Sequence, residues 1–310
     1  MQGTIRAIVT AAMVGGLATI PIVEAGAVSP GQPTIAFLRQ TGTGSRLFQM
    51  RPNGTEISPL APRSDFALFA VSMSPDGERV AMSLNAGGYA DLYVQRIGGA
   101  TKQITDTPHL NEWSPMWSPD GARIVYTEQD PVNGGASIVT RRTDGTGRRV
   151  VWSKTLGSGS DASWSPDGTR ILLSAVRTAP AAPGAVVDLV TVRPDGTGRR
   201  WLTDTPAHEI PGDWSPDGER IAFVQFAPSG GDIVLVSMGA AGGGRQLVSD
   251  RARIALMRAL YTPDGKRIVL GRYDTGGVEL VSTPVGGGVF KQLTETDSSF
   301  NAFDMLYLAG

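Results

Sequence analysis

The sequence predicts an all-β fold, a six-bladed β-propeller of four-stranded antiparallel blades. Three observations predict it: a turn motif that returns five times, a hairpin that returns six times, and a final strand that stops short of a sixth turn.

The turn motif comes first. Its copies are SMSPDGERVAMS from Ser72, MWSPDGARIVYT from Met116, SWSPDGTRILLS from Ser163, DWSPDGERIAFV from Asp213 and LYTPDGKRIVLG from Leu260. The prolines Pro75, Pro119, Pro166, Pro216 and Pro263 recur at intervals of 44, 47, 50 and 47 residues, the length of a four-stranded blade. Proline presets φ at the first turn position, aspartate bonds the backbone two residues on, and glycine takes the positive φ that reverses the chain. The apolar residue before the turn (Met73, Trp117, Trp164, Trp214, Tyr261) ends an inner strand, and an alternating run such as Arg-Ile-Val-Tyr forms the second strand. A residue present once per blade belongs to the scaffold. The repeated Asp/Arg pairs and the tryptophans at 117, 164 and 214 are therefore read as turn caps and inter-blade packing.

The hairpin supplies the third and fourth strands. It runs as RLFQMRPNGTEISPL from Arg46, DLYVQRIGGATKQIT from Asp91, SIVTRRTDGTGRRVV from Ser137, DLVTVRPDGTGRRWLT from Asp188, DIVLVSMGAAGGGRQLV from Asp232 and VELVSTPVGGGVFKQLT from Val278. Six hairpins against five turns leave one blade without its own inner strand. Thr34 to Leu38 reads as the second strand of blade one, with no inner strand before it. Ala302 to Leu308 is expected to complete that blade, with Asp304-Met305 aligned on Asp213-Trp214. A ring closed in this way has no open sheet edge.

Composition fits one closed ring. The chain has 310 residues, is 18% charged, carries a formal net charge of -1 and has 40 glycines and 21 prolines spread over turn positions. Near-neutral charge speaks against a nucleic-acid partner. Without cysteine there is no disulfide, thiolate metal site, cysteine nucleophile or lipidated anchor. Arg6, the apolar run Ala7 to Ile20, Pro21 and Ala25-Gly26-Ala27 make residues 1–27 a secretory signal peptide. The run is too short to span a bilayer, and no later stretch is long and apolar enough. Residues 28–310 form one propeller, expected as a monomer in the periplasm or outside the cell.

Trp-Ser-Pro-Asp-Gly-x-Arg-Ile, preceded by Leu-Thr-Asp-Thr-Pro as at Leu202 to Pro206, resembles the repeat of the periplasmic TolB-like propellers. The resemblance covers roughly residues 33–310 and differs from the WD40 pattern, which places Trp-Asp after a later strand. TolB proteins carry an additional α/β domain before the propeller, for which this sequence leaves no room. The resemblance implies the fold and a ligand-binding side where loops lead into the inner strands. It does not imply a role in envelope integrity.

Function is expected in what differs between repeats. The only two histidines fall in equivalent lead-in loops, as His109-Leu-Asn111-Glu112-Trp113 and His208-Glu209. His109, Glu112, His208 and Glu209 are candidates for acid–base work at a shared site. The plainer reading is two solvated loop histidines, because no fixed ligand spacing such as His-Glu-x-x-His supports a metal. Asn111, Trp113, Asp161, Asp213, Arg258 and Asp304 are candidate binding residues. Asp161, Asp213 and Asp304 take near-equivalent places ahead of the inner strand, and Arg258 is suited to a carboxylate. The alternative for the acids is capping of the strand-leading turn. The long loop from Ala175 to Ala185 suits a mobile rim.

No Gly-x-Ser-x-Gly or Ser-x-x-Lys appears, and Gly239 to Gly244 lies in a hairpin turn, not before a helix. The expected function is an exported binding module for a peptide, protein or glycan at the lead-in-loop face, requiring no cofactor and no metal. The alternative is a hydrolase, lyase or cyclase with a His/Glu/Asp site at the tunnel mouth. A pure scaffold acting through its rim is a third, weaker reading.

Overall fold

A computed structural model describes residues 9–13, 16–20, 34–41, 44–59, 67–85, 88–97, 99–153, 159–177, 186–226, 233–249, 258–274, 277–294 and 305–308. Six four-stranded antiparallel sheets form a six-bladed propeller. Blade two runs Ala67–Met73, Arg79–Asn85, Ala90–Arg96 and Thr101–Gln103. Blade three runs Asn111–Trp117, Arg123–Gln129, Ala136–Arg142 and Arg149–Trp152. Blade four runs Gly159–Trp164, Ile171–Ala175, Asp188–Val192 and Arg200–Trp201. Blade five runs His208–Trp214, Arg220–Phe226, Val234–Gly239 and Gln246–Ser249. Blade six runs Leu260–Tyr261, Arg267–Asp274, Gly277–Pro284 and Lys291–Gln292. Apart from these, Val9–Met13 and Gly16–Ile20, within the segment read as a leader, pair as a two-stranded antiparallel hairpin.

Blade one is closed from both ends of the chain. Met305–Leu308 pairs with Thr34–Thr41, followed by Gly44–Met50 and Ser58–Pro59. The register corrects the expected alignment by two residues. Tyr307 stands opposite Ile35, as Trp214 stands opposite Ile221. Tyr307, not Met305, holds the tryptophan position. Asp304 itself lies outside the described residues.

The core follows the seams between blades. Val71 and Met73 of blade two pack with Ala36 and Leu47 of blade one. Trp117, Ile124 and Tyr126 pack with Ala81 and Leu92 across the next seam. Trp152 and Val125 meet Trp164 and Leu173, Leu172 and Leu189 meet Trp214 and Phe223, and one cluster joins blades five, six and one. The repeated tryptophans reach across these seams as expected. Trp117 Nε1 donates to Ser72 O at 3.0 Å and Trp164 Nε1 to Met116 O at 3.3 Å.

Each turn is held by its own side chains. In blade five, Ser215 Oγ donates to Asp217 Oδ1 at 2.5 Å and accepts from Arg220 N at 2.9 Å, while Asp217 Oδ1 also accepts from Glu219 N at 3.0 Å. The same set recurs at Ser118/Asp120, Ser165/Asp167 and Thr262/Asp264. These bonds, the serine or threonine hydroxyl first, hold Asp120, Asp167, Asp217 and Asp264 below the usual carboxylate range. Among the five repeated Asp/Arg pairs only Asp76 and Arg79 meet, at 3.2 Å. Ser215→Ala removes a buried hydroxyl that serves three bonds. It is expected to cost about 1–2 kcal/mol, read as a lower urea midpoint with an unchanged slope.

The inner strands of blades two to five each carry a bulge. A bulge puts two residues opposite one and bends the strand. Its position varies. Asp161 is the extra residue in blade four, three places before Trp164, with φ of 41°. Asp213 lies in the blade five bulge, directly before Trp214. The two acids therefore stand in different layers along the axis, a correction to their expected equivalence.

Candidate functional site

The candidate acids in the lead-in loops turn inward. Glu112 and Glu209 are both fully buried. Glu112 sits against Thr105 Oγ1 at 3.2 Å, Thr107 Oγ1 and Asp91. Glu209 sits against Thr203 Oγ1 and Thr205 Oγ1, the latter at 3.1 Å. Asp188 takes the place of Asp91 there. It accepts from Thr205 N at 3.1 Å and from Arg177 Nε at 2.9 Å. These are two copies of one latch, tying the Thr-Asp-Thr-Pro loop to the start of the preceding blade's third strand.

The first latch brings two carboxyls onto one hydroxyl. Thr105 Oγ1 accepts from Leu92 N at 2.7 Å and touches both Asp91 and Glu112. One hydroxyl has one proton to donate, so Thr105 cannot serve both acids at once; Thr107 Oγ1 donates to Glu112, and Thr107 N and Gln103 Nε2 donate to Asp91. Burial, with the nearby charge of Asp91, pushes Glu112 up to about 8. Burial raises Glu209 as well, against bonds from both threonines and the charge of Arg245 at 3.5 Å.

The histidines do not join these acids. His109 lies in a turn at φ of 72°, with its ring edge-on to Tyr89 at 5.7 Å. His208 stacks on Phe226 at 5.1 Å. The two rings pack on different blades, and no contact joins them among the described residues. Alternation along the strand sends His208 and Glu209 to opposite faces. Among the described residues no three of His, Asp and Glu are grouped to hold a metal ion. Asn111 Oδ1 accepts from Ala90 N at 2.8 Å, a seam tie, and Trp113 Nε1 donates to Gln129 Oε1 at 3.1 Å within blade three. Asp304 and most of the Ala175 to Ala185 loop lie outside the described residues.

Arg258 links the surroundings of two other candidates. Arg258 leads into the inner strand of blade six and passes blade five to reach blade four. Both its Nη1 and Nη2 donate to Ala162 O at 3.1 Å. Asp161 is the neighbour of Ala162, and Asp213 of blade five feels the Arg258 charge. Burial nevertheless pushes Asp213 up to about 6, against that charge and the Trp214 N–H that its Oδ1 accepts at 2.9 Å.

On the turn side of this layer is a cavity of about 380 Å³. Its wall repeats around the axis: the turn prolines Pro75, Pro119, Pro166, Pro216 and Pro263, and the strand-ending Met73, Trp117, Trp164, Trp214 and Tyr261. Asp213 is the one acid in the lining. The tryptophans thus pack the seams and also face the axis. The second role was missed in the sequence, because it depends on the ring's diameter and not on any local pattern.

Comparison with known proteins places this geometry. The profile of the TolB β-propeller domain matches residues 18–211. A TolB homologue of Chlorobium luteolum is 29% identical over 164 residues, 53% of this chain and 35% of the relative. An uncharacterized peptidase, YuxL, of Bacillus subtilis is 28% identical over 194 residues, 58% of this chain and 25% of the relative. The chain thus spans about a third or less of the length of these relatives. The crystal structure of TolB from Acinetobacter baumannii superposes with a TM-score of 0.75 at 17% identity, over 90% of this chain and 67% of that one.

Proposed function

This chain belongs to the family of TolB β-propeller domains, and from that premise we propose that it is an extracytoplasmic binding module that holds a segment of a partner protein at its lead-in-loop face. The observation that carries this reading is the reach of Arg258 from blade six past blade five to Ala162 O of blade four, next in sequence to Asp161. The free edges of the blades are outer strands of two to four residues, which offer little to a partner strand. Polar groups that break the repeat at its centre are what remains for recognition. Arg258 carries a fork matched to a carboxylate or a carbonyl, which a partner would take over from Ala162 O, next in sequence to Asp161. Asn111 and Trp113, in the first half of the inner strand of blade three, are included in the proposed surface, as is Asp304, which lies outside the described residues. The apolar leader with Ala25-Gly26-Ala27 supports export.

The test starts from a partner identified by cross-linking and mass spectrometry in the native envelope fraction. Arg258→Met together with Asp161→Asn should weaken its affinity about tenfold or more in calorimetry. Unchanged affinity would remove these residues from the binding face. The glutamates that an enzyme would use are held in the latches and the histidines pack apart from them, so no observation favours the second reading.

A further inference from the structure

We propose that the turn-side mouth of the axial cavity is a second binding site, separate from the lead-in-loop face, that takes a lysine or arginine side chain of a partner protein flanked by apolar residues. The cavity of about 380 Å³ lies among the Ser/Thr-Pro-Asp-Gly turns, not among the loops of the other face. Arg258, bound to Ala162 O, is not part of the cavity wall.

The lining identifies the ligand. Proline rings and tryptophan faces cover the wall and offer few polar partners, which fits a long aliphatic stem. Among the described residues the cavity's one acid is Asp213, which accepts from Trp214 N and has no side-chain partner within hydrogen-bond or ion-pair distance. A basic side chain matches both parts: its methylenes lie on Pro and Trp, and its cationic head reaches the carboxylate. The aromatic faces add attraction for the same charge. An anion or a neutral apolar chain satisfies the wall but not the acid, and the lining hydroxyls a sugar would use, of Ser72, Ser74 and Tyr261, are already bonded within the fold.

The rim has the same sign. Asp120, Asp167, Asp217 and Asp264 follow the lining prolines directly and are held ionised by their turn bonds. Three of the turn arginines are bonded within their own blades, while Arg79 pairs with Asp76 and lies over the Trp117 ring. Arg170 donates to Gly198 O, Arg220 to Ser237 Oγ and Gly244 O, and Arg267 to Ser282 Oγ and O. The carboxylates are left nearest the mouth.

Binding links to protonation. The groups facing Asp213 are Arg258, Trp214 N–H and Tyr261, whose phenol burial keeps neutral. A cation at Asp213 favours the ionised carboxyl, so affinity should fall as pH drops through about 6.

The probe is the blocked peptide acetyl-Gly-Leu-Lys-Leu-Gly-amide, titrated into the full chain and followed by fluorescence of the lining tryptophans. A matched peptide with norleucine in place of lysine is the control. The lysine peptide should saturate and bind about tenfold or more tightly than the control at pH 7.5. Asp213→Asn should remove that preference and the loss at pH 5. Met116→Lys, a lining substitution that tethers a cation inside the cavity, should block the peptide with circular dichroism unchanged. Arg258→Met should leave binding equal or stronger, because a competing charge is gone. Equal affinity for both peptides, no saturable signal, or indifference to Asp213→Asn overturns the proposal. Loss of the peptide in Arg258→Met places it on the lead-in-loop side instead, which rejects this site and leaves the first reading standing.

Discussion

Replacing Gly212 by alanine is expected to destabilise the propeller by about 3 kcal/mol, the upper part of the range for overpacking. Gly212 is not a turn glycine. It sits in the inner strand of blade five, where an added methyl carbon would lie 2.5 Å from both Ala222 O and Ala259 O. One oxygen belongs to the second strand of blade five and the other to blade six. Relief needs about 0.7 Å or more on each side to reach ordinary contact. Ala222 is backbone of a paired strand and Ala259 is buried backbone directly before the Leu260–Tyr261 strand, so neither gives cheaply. The midpoint of thermal unfolding should drop by roughly 5–10 °C. Gly77→Ala is the control. Its φ is 70° and nothing lies within 4 Å of the added carbon, so it bears only the left-handed penalty of about 1–2 kcal/mol. Equal losses in the two variants would mean that crowding at the axis is not what demands glycine.

Most of the architecture was legible because its signals are local. A Ser-Pro-Asp-Gly turn specifies its own φ angles and its own caps, and every copy does the same in space. Counting turns against hairpins therefore reached six blades and the closing strand. The register of that strand was not legible. Met305, Leu306, Tyr307 and Leu308 are all apolar, and strand phase is read from alternation. The bulges of the other inner strands shift position by one to three residues, so alignment to them carries no fixed phase either.

The site divides the same way. Arg258 and Asp213 broke the repeat in the sequence, and the charge of Arg258 acts on Asp213. The His/Glu pairing was a false signal of adjacency, since neighbours in a strand face opposite ways. A better signal was present. Thr105-Asp106-Thr107-Pro108 and Thr203-Asp204-Thr205-Pro206 are each followed by a glutamate, and each hairpin before them begins with aspartate. A set that repeats belongs to the scaffold, which is where the latches put Glu112 and Glu209.

The latches make the pH response of the two seams unequal. Glu112 faces a second acid, Glu128, at the position that blade five fills with Gln225. Arg148 is spent on Glu128, through Nε at 2.8 Å and through Nη2, and Tyr126 OH donates to the same carboxylate at 3.0 Å. In blade five the equivalent arginine, Arg245, reaches Gln225 and stands 3.5 Å from Glu209 itself. Glu112 therefore keeps its proton to about 8 in the folded chain, while an unfolded glutamate releases it near 4.5. The folded state binds more protons between those values, so stability from this group falls as pH rises from 4.5 to 8. Glu112→Gln keeps a donor toward Asp91 and acceptors for the threonines without a charge to bury. Its advantage over the parent should be absent near pH 4.5 and grow to on the order of 2–4 kcal/mol by pH 8. Melting curves taken across that range should converge at the acid end and separate at the alkaline end. Parallel curves would mean that Glu112 is ionised in the folded latch, and that Asp91 carries the proton instead.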